Sequence, residues 1–268
     1  LNGTNAVSDS AIASTQGKVL TYNSELIDAL YSSTTGGITA PFEDVWEGNP
    51  RPYLKAKIDA YPNQIWDLKT RSLADEKTFR AFIQLKKGFN EAGQGYFRWK
   101  TDVSLKQLNQ NLRDFLKKQQ DPLATFGTIQ NLEVISRSAA GRVQKLRVTT
   151  DKGAVELTKD QVLLVFEAPN SLLFYIEPLF EVSTSTAQAK QTDPRTETTS
   201  ASQSNAKALK GFAFIGGGLG HGVGLSQTGS YALSQMGWSA DKILSFYYPS
   251  TSLQVLSAKT VSWRDDTN

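Results

Sequence analysis

The sequence predicts an α+β fold, in which a mostly antiparallel β scaffold carries a helical insertion and two short C-terminal helices. Short runs of strand-like composition, separated by turn residues, recur in the first 61 residues and again after residue 122. Residues 62–121 instead place apolar side chains at the 3.6-residue spacing of helices. A glycine-rich stretch, residues 211–253, combines a strand, a loop and two helices near the C-terminus.

The first part of the chain predicts a β-hairpin followed by a loop rich in hydroxyl groups. Residues 17–22 and 26–32 have strand-like composition, and the Asn-Ser pair between them favours a turn. Residues 32–39 combine serines and threonines with two adjacent glycines. Residues 1–14 are small and polar, so we expect them to be loosely held.

The middle of the chain, residues 62–121, predicts a mostly helical insertion on a β-rich core formed by residues 1–61 and 122–268. One helix is expected over residues 72–87, and a second starts at Ser104, where Ser-x-x-Gln matches a capping box. The second helix places its apolar residues on one face, namely Leu105, Leu108, Leu112, Phe115 and Leu116. We expect the charged faces of both helices to be solvated.

After residue 127 the composition is again that of strands. Residues 129–136 and 142–149 predict a hairpin around an Ala-Ala-Gly turn. Residues 162–166 and 172–176 predict further strands, or a short helix followed by a strand. Residues 183–206 are low in complexity and nearly free of apolar side chains, so they cannot offset the entropy of ordering. We expect a flexible loop there, within the core.

Composition excludes several classes of protein. The 29 Lys+Arg and 26 Asp+Glu give a net charge of +3, too weak and too scattered to predict a nucleic-acid partner. There is no cysteine and only one histidine, which excludes disulfides, cysteine zinc sites and histidine-rich metal sites. No cofactor or metal is predicted, and no apolar run approaches the ~18 residues of a membrane span. The chain starts at Leu1 without a leader, so we expect a processed or truncated product that has lost its export signal.

The densest local signal is a glycine-rich loop around the only histidine, His221. Six glycines fall within the nine positions 216–224, which marks backbone that turns sharply or meets a ligand closely. A phosphate cradle would require a βαβ setting, whereas the surroundings are β-rich and no lysine follows. A serine-protease pairing of His221 with Ser226 lacks both a Gly-x-Ser-x-Gly elbow and an oxyanion hole. A structural turn and a substrate-binding rim remain as alternatives.

Two groups of residues form long ordered motifs. The first is Gly-His-Gly-Val-Gly-Leu-Ser-Gln at 220–227, followed by Ala232, Gly237, Ile-Leu at 243–244 and Tyr-Tyr-Pro at 247–249. The second is Tyr-Ser-Ser-x-x-Gly-Gly-x-Thr at 31–39, followed by Asp-Val-Trp at 44–46 and Pro-Tyr-Leu at 52–54. Both resemble the stage II sporulation protein D family, which also contains the amidase enhancers. The resemblance implies action on bacterial cell-wall peptidoglycan, by lytic transglycosylases or by helpers of amidases.

From these two matches we expect the two turns to come together in one sugar-holding groove. The candidate substrate-binding residues are Ser32, Ser33, Gly36, Gly37, Thr39, Asp44, Trp46, Gly220, His221, Gly222, Gly224, Ser226, Gln227, Tyr247 and Tyr248. Hydroxyl side chains also serve to satisfy turn backbone, and a tryptophan in a loop also packs as a satellite of the core. These alternatives stay open at the level of sequence.

The resemblance implies a single catalytic glutamate within a Glu-Met-Pro segment. That glutamate would protonate the bond between N-acetylmuramic acid and N-acetylglucosamine and then take the C6 hydroxyl proton, which gives a 1,6-anhydro product. This chain has no Glu-Met-Pro segment, and its only methionine is Met236. The catalytic residue is therefore unknown. We expect the acidic side chains near the first loop to be surface or loop-bracing carboxylates, namely Asp28, Glu43, Asp44 and Glu47.

Two functional classes follow from the resemblance, so whether the chain is an enzyme stays open. One is a lytic transglycosylase whose acid lies on an N-terminal piece missing from this chain. The other is a non-catalytic glycan-binding module that recruits or stimulates a cell-wall amidase. The expected partners are peptidoglycan glycan strands and, in the second class, an amidase. The expected location is outside the cytoplasmic membrane, in the periplasm or cell wall, with the precursor exported or membrane-anchored.

Overall fold

The computed structural model describes residues 5–62, 65–181 and 208–256, so the predicted flexible loop at 183–206 lies outside the described residues. The helices are α1 Ala6–Thr15, α2 Glu76–Gln84, α3 Leu105–Lys118, α4 Gln161–Val165, α5 Gln227–Gln235 and α6 Ala240–Tyr247, with 3-10 turns at Phe42–Asp44 and Pro122–Thr125. The strands are β1 Lys18–Tyr22, β2 Glu25–Leu26, β3 Tyr31–Ser32, β4 Ile38–Thr39, β5 Lys57–Ile58, β6 Trp99–Ser104, β7 Ile129–Arg137, β8 Val143–Thr150, β9 Gly153–Thr158, β10 Phe174–Phe180, β11 Leu209–Gly216, β12 Leu225–Ser226 and β13 Ser252–Val255.

The strands form small sheets that are mostly antiparallel, which confirms the predicted α+β class. Three sheets have three strands, in the orders β13-β1-β2, β10-β11-β6 and β7-β8-β9. Two sheets have two strands: β4 pairs antiparallel with β5, whereas β12 pairs parallel with β3. That parallel pair joins elements almost 200 residues apart in the chain, and it is the pair that positions the two predicted loops.

The sheet β10-β11-β6 lies between two hydrophobic cores. Alternate residues of a strand face opposite sides, and accordingly Phe174 belongs to the larger core while Tyr175 belongs to the smaller one. The larger core takes its side chains mainly from α3, β7 and β8. The smaller core lies under α2, which buries Phe79, Phe82 and Ile83 at i, i+3 and i+4.

The segment predicted to be a helical insertion is closely joined to both cores. Its strand β6 pairs with β11 along the whole of β6, from Trp99 to Ser104. Its helix α3 begins at Ser104, whose side chain accepts the Gln107 amide, and buries three leucines in the larger core. The division of the chain into a core and an insertion stays a prediction, but the contacts of this segment make it part of the support of the site.

The backbone bears on several local expectations. Residues 6–15 form α1, where Asn5 and Ser8 make a capping box, and α1 buries no side chain. The second hairpin strand is only β2, and α2 starts at Glu76, since Asp75 caps it. The open choice near residue 162 is a short helix, α4, followed by β10. Ser239 caps α6.

Candidate functional site

The two predicted loops meet, and backbone pairing holds them together. Tyr31 and Ser32 pair in parallel with Leu225 and Ser226. Isolated bridges join Thr34 to Leu219 and Ala40 to Val223. The Ser33 carbonyl accepts the backbone N–H and the side-chain hydroxyl of Thr228, at 3.1 and 2.9 Å. The sequence therefore predicts correctly that two distant turns come together.

Glycine is required where these loops approach other groups closely. A Cβ on Gly224 would collide with the Leu30 carbonyl oxygen, and one on Gly222 would collide with the Arg142 guanidinium. Both residues also have φ near +75°, a region that side chains rarely adopt. These two glycines therefore serve the close approach of backbone to the protein's own groups.

The fifteen candidate residues divide into an inner and an outer set. The buried ones are Ser32, Gly36, Gly37, Thr39, Gly222, Gly224, Ser226, Tyr247 and Tyr248. The half-buried or exposed ones are Ser33, Asp44, Trp46, Gly220, His221 and Gln227. We call Ser33, Trp46, His221 and Gln227 the outer face. A ligand reaches the outer face directly, whereas the buried set is covered by the protein itself.

His221 is held as a neutral imidazole. Its Nδ1 accepts the Val223 amide at 3.0 Å. Burial lowers the pKa of His221 and the nearby Arg142 cation lowers it further, while a hydrogen bond to the Tyr31 backbone acts in the opposite direction. The ring also contacts Trp46, with 4.9 Å between centroids. Both ring nitrogens are thus engaged with backbone, and the half-exposed part of the ring is an apolar surface beside an indole.

Trp46 packs as a satellite of the larger core, which is one of the two roles left open by the sequence. Its ring packs on Phe42 with 5.3 Å between centroids and belongs to the fringe of the larger core. It is nevertheless half-exposed next to His221. The contact with Phe42 fixes the orientation of the Trp46 ring beside His221.

On the inner side, Glu91 connects the two loops. One carboxyl oxygen accepts the Thr35 amide at 2.7 Å, the Thr35 hydroxyl at 2.9 Å and the Ser226 hydroxyl, and the other accepts the Gly37 amide at 2.8 Å. Ser226 in turn caps α5 by accepting the Gly229 amide at 3.0 Å. A single fully buried carboxyl thus fixes the hydroxyl-rich loop against the start of α5.

A second buried carboxyl, Asp59, lies beside Glu91. Its Oδ1 accepts the Asn90 side-chain amide at 2.6 Å and the Tyr247 hydroxyl at 2.9 Å. Burial, and then the charge of Glu91, raise the pKa of Asp59 well above its ordinary value. Among the described residues, the Asp59 Oδ2 atom has no hydrogen-bond partner. The raised pKa favours the protonated form of Asp59 beside Glu91.

A buried cation, Arg142, completes the inner cluster. Its Nη2 donates to the carbonyls of Thr35 and Ile38, at 3.1 and 2.9 Å. Burial lowers the pKa of Arg142 to about 10, opposed by Asp44 and Glu91, so the group remains a cation at neutral pH. Within the described chain, its Nε and Nη1 and the Asp44 Oδ2 atom have no hydrogen-bond partner. Burial is the largest influence on the pKa of Asp44, and it raises that pKa above its ordinary value.

Residues 91–99 of the predicted insertion support both loops. Besides Glu91, the Arg98 Nη1 donates to the Gly36 carbonyl at 2.8 Å, and the Trp99 indole N–H donates to the Gly218 carbonyl at 2.8 Å. The sequence-based site omits Asp59, Glu91, Arg98 and Arg142. Their signal in the sequence is faint: each is a charged residue among apolar or glycine neighbours, and no periodicity marks them.

Two properties of the described residues bear on partners. Among residues 5–62, 65–181 and 208–256, no three His, Cys, Asp or Glu side chains cluster in a way that would hold a metal ion. Over the same residues, every helix is too short or too polar to cross a membrane.

Comparison with known proteins supplies the relatives of this chain. A family described as a domain of unknown function (DUF8618) matches residues 40–224. The amidase enhancer of Bacillus subtilis (strain 168) is 27% identical over 250 residues, which cover 93% of this chain and 33% of that protein. Stage II sporulation protein D of the same strain is 42% identical over 71 residues, 26% of this chain and 19% of that protein. Its counterpart in Bacillus amyloliquefaciens is 38% identical over 85 residues, 31% and 23% of the two chains.

The aligned residues thus make up a third or less of the length of these relatives. The domain match spans more than half of the chain, and the named relatives are those whose motifs the two loops resemble. This chain belongs to the DUF8618 family, and its similarity to the amidase enhancer and to stage II sporulation protein D supports the family assignment expected from the two motifs.

Proposed function

We propose that this chain is a peptidoglycan-binding module that assists a cell-wall amidase, and that it acts outside the cytoplasmic membrane. The observation that carries the proposal is the outer face, where Trp46 and His221 from two distant loops lie side by side and Gln227 is exposed at the end of the second loop. The relative that aligns with 93% of the chain is named an amidase enhancer, which supports the same assignment.

The chemistry of the outer face suits an uncharged sugar. An indole ring fixed by packing offers a flat apolar surface for the carbon-bound hydrogens of a pyranose. Gln227 is exposed at the start of α5 and offers both a donor and an acceptor to hydroxyl or acetamido groups. A neutral His221 adds apolar surface without a charge that would have to be desolvated.

Cleavage of the glycan is a second candidate, favoured by one observation at Asp44. The Asp44 carboxyl is half-buried close to the outer face, and burial raises its pKa, as a general acid requires. In a lytic transglycosylase, that acid would protonate the leaving oxygen and then take the C6 hydroxyl proton. Asp59 and Glu91 are poor candidates for this role, because both are fully buried and bonded to the protein's own groups.

The binding proposal is tested with a matched pair of variants on one helix. Gln227→Ala removes an amide from the outer face, whereas Gln235→Ala removes an exposed amide from the last residue of α5. We expect Gln227→Ala to weaken sedimentation with purified sacculi about three- to ten-fold, the loss of one or two hydrogen bonds. Gln235→Ala should bind like the parent chain. Equal binding by all three proteins would refute the outer face as the glycan site.

The two activities are separated by two assays on the same protein. Stimulation is measured as the rate of stem-peptide release by a purified amidase, with and without the chain. Cleavage is measured by mass spectrometry of purified glycan strands, searched for 1,6-anhydro-muramic ends. We expect stimulation that Gln227→Ala lowers, and no anhydro ends. Anhydro ends that disappear in Asp44→Asn would instead establish the cleavage candidate.

A further inference from the structure

A second surface, which shares no residue with the outer face, combines aromatic rings with lysines. We define the Tyr61–Trp238 face as Tyr61, Trp238, Phe246, Lys57 and Lys242. Tyr61 meets Trp238 edge to face with 4.6 Å between centroids, and Trp238 meets Phe246 in the same way at 5.8 Å. Tyr61 is 42% exposed, and Trp238 and Phe246 are half-exposed. The site predicted from sequence includes none of these residues.

Trp238 is held rigidly by the end of α5. Gly237, at φ 82°, ends the helix, and its amide donates to the Ser234 carbonyl at 2.9 Å. The Trp238 amide then donates to the Leu233 carbonyl at 3.1 Å, which completes a Schellman motif. Because Ser239 starts α6 at once, Trp238 is fixed between two helices. An aromatic side chain on such backbone loses little entropy when a ligand stacks on it.

The two lysines are held next to the rings. The Lys242 Nζ lies 4.0 Å from the centroid of Trp238, and the Lys57 Nζ lies 3.5 Å from that of Phe246. Lys57 also donates to the Phe246 carbonyl at 2.8 Å. Neither lysine forms an ion pair within the part of the chain that the structure describes. The face therefore carries ordered cations that can still bind an anion.

A cavity of about 410 Å³ adjoins this face and shares Lys57 and Phe246 with it. Its lining also includes Trp66, Asp67 and Lys69. Asp67 is occupied by its own turn, since it accepts the Lys69 amide at 3.0 Å and the Thr70 hydroxyl at 3.0 Å. Two other acidic side chains lie in the region: Asp241 is in the first turn of α6, and Asp59, which is close enough to oppose the lowering of the Lys57 pKa by burial, is itself fully buried. Aromatic rings, cations and a cavity of this size fit a sugar that carries an acidic group.

We infer that the Tyr61–Trp238 face is a second glycan subsite, which stacks a sugar ring on Trp238 and binds the carboxylate of a neighbouring muramic acid through Lys57 and Lys242. The inference rests on the proposed peptidoglycan binding and gives it a second, charge-selective contact. The outer face selects neutral sugar groups, whereas this face selects the acidic ones.

The test uses two ligands that differ only in charge. Glycan strands freed of stem peptides carry free muramic carboxylates, and the same strands with amidated carboxylates are neutral. We expect Lys242→Ala to weaken binding of the acidic strands about three-fold and to leave binding of the amidated strands unchanged, as for one exposed charge pair. Trp238→Ala should weaken both about ten-fold, while Trp238→Phe keeps most of the affinity.

Controls separate the failure of this inference from that of the proposed function. Lys118→Ala removes an exposed lysine at the end of α3 and should bind both ligands normally. If the parent chain bound neither ligand, the proposed function itself would fail. Normal binding by folded Trp238→Ala and Lys242→Ala, with Gln227→Ala still impaired, would overturn the subsite alone. The subsite would also be overturned if these variants lost binding only to walls that retain phosphodiester polymers. The same holds if they lost amidase stimulation while glycan binding stayed intact.

Discussion

The inner and outer sides of the same two loops differ in what their polar residues do. On the outer side, Trp46, His221 and Gln227 are at least partly exposed, and no carboxylate among the described residues binds their side chains. On the inner side, Thr35 and Ser226 bind a buried carboxyl, and Gly222 lies against a buried guanidinium. One family motif therefore contains residues that build the site and residues that can meet a ligand.

This difference changes how the motif is interpreted. Ser226 and Gln227 are neighbours in the chain, yet Ser226 is fully buried and caps α5 while Gln227 is exposed. A substitution at either position is expected to reduce activity, for opposite reasons. Substitution of the inner residue should lower the free energy of unfolding. Substitution of the outer residue should lower the affinity for the ligand and leave the fold intact. Stability and binding must therefore be measured together.

The largest expected effect is that of Glu91→Gln. The two Glu91 oxygens accept four hydrogen bonds in all. Glutamine replaces one oxygen with an amide NH2 group, which would place its donors against the donors of the protein. A mismatched buried group in a charged cluster is expected to lower the free energy of unfolding by about 3–5 kcal/mol. Urea denaturation measures it. The exposed Glu133→Gln on β7 is the control and should change stability by less than about 0.5 kcal/mol. A loss as small as in that control would show that Glu91 does not hold the loops together.

A smaller effect on the free energy of unfolding is expected from Gly229→Ala. Helix propensity alone would predict stabilisation, whereas we expect destabilisation. Alanine in place of a helical glycine normally stabilises by about 1 kcal/mol. Here the added Cβ would collide with the Tyr247 hydroxyl and with the Asp59 carboxyl, both buried and bonded to each other. We expect a net loss of about 2 kcal/mol, as for overpacking. Ser234→Ala, at an exposed position of α5, should be neutral or slightly stabilising in the same thermal unfolding assay. A stabilised Gly229→Ala variant would show that Tyr247 and Asp59 can move away from the added Cβ at little cost in free energy.

The success and the failure of the sequence-based site have distinct physical causes. The meeting of the loops was predictable, because glycine density and two ordered motif matches both indicate close backbone approach. The burial of Ser32, Thr39 and Ser226 was not, since a hydroxyl looks the same in sequence whether it binds a sugar or satisfies backbone. Strand pairing away from the local sequence decides between these roles: β3 pairs with β12 at Ser32 and Ser226, and β4 pairs with β5 at Thr39.

The support of the site was missed for a similar reason. The helical periodicity of α3 is strong and was predicted, whereas Glu91 and Arg98 lie in irregular backbone between α2 and β6. Their function depends on contacts with residues about 60 and 135 positions away. A buried glutamate or arginine of this kind has no local pattern, because its partners are distant in the chain and many of them are backbone groups that any sequence supplies.

The last expected effect, and the smallest per pH unit, is a change in the pH dependence of the free energy of unfolding caused by Asp59→Asn. The pKa of Asp59 is raised in the folded protein, so folding takes up a proton at pH values above the unfolded pKa of about 3.9. The contribution of Asp59 to stability is therefore complete at low pH and decreases as the pH rises towards the folded pKa, by up to about 1.4 kcal/mol per pH unit. Asparagine mimics the protonated acid, since its oxygen can accept from Asn90 and Tyr247 and its amide can donate to Glu91. Urea denaturation from pH 4.5 to 7.5 should show that the variant gains stability relative to the parent as the pH increases. If the two curves of stability against pH were parallel, Asp59 would not be the group that takes up a proton on folding. Another member of the inner cluster would then carry that proton.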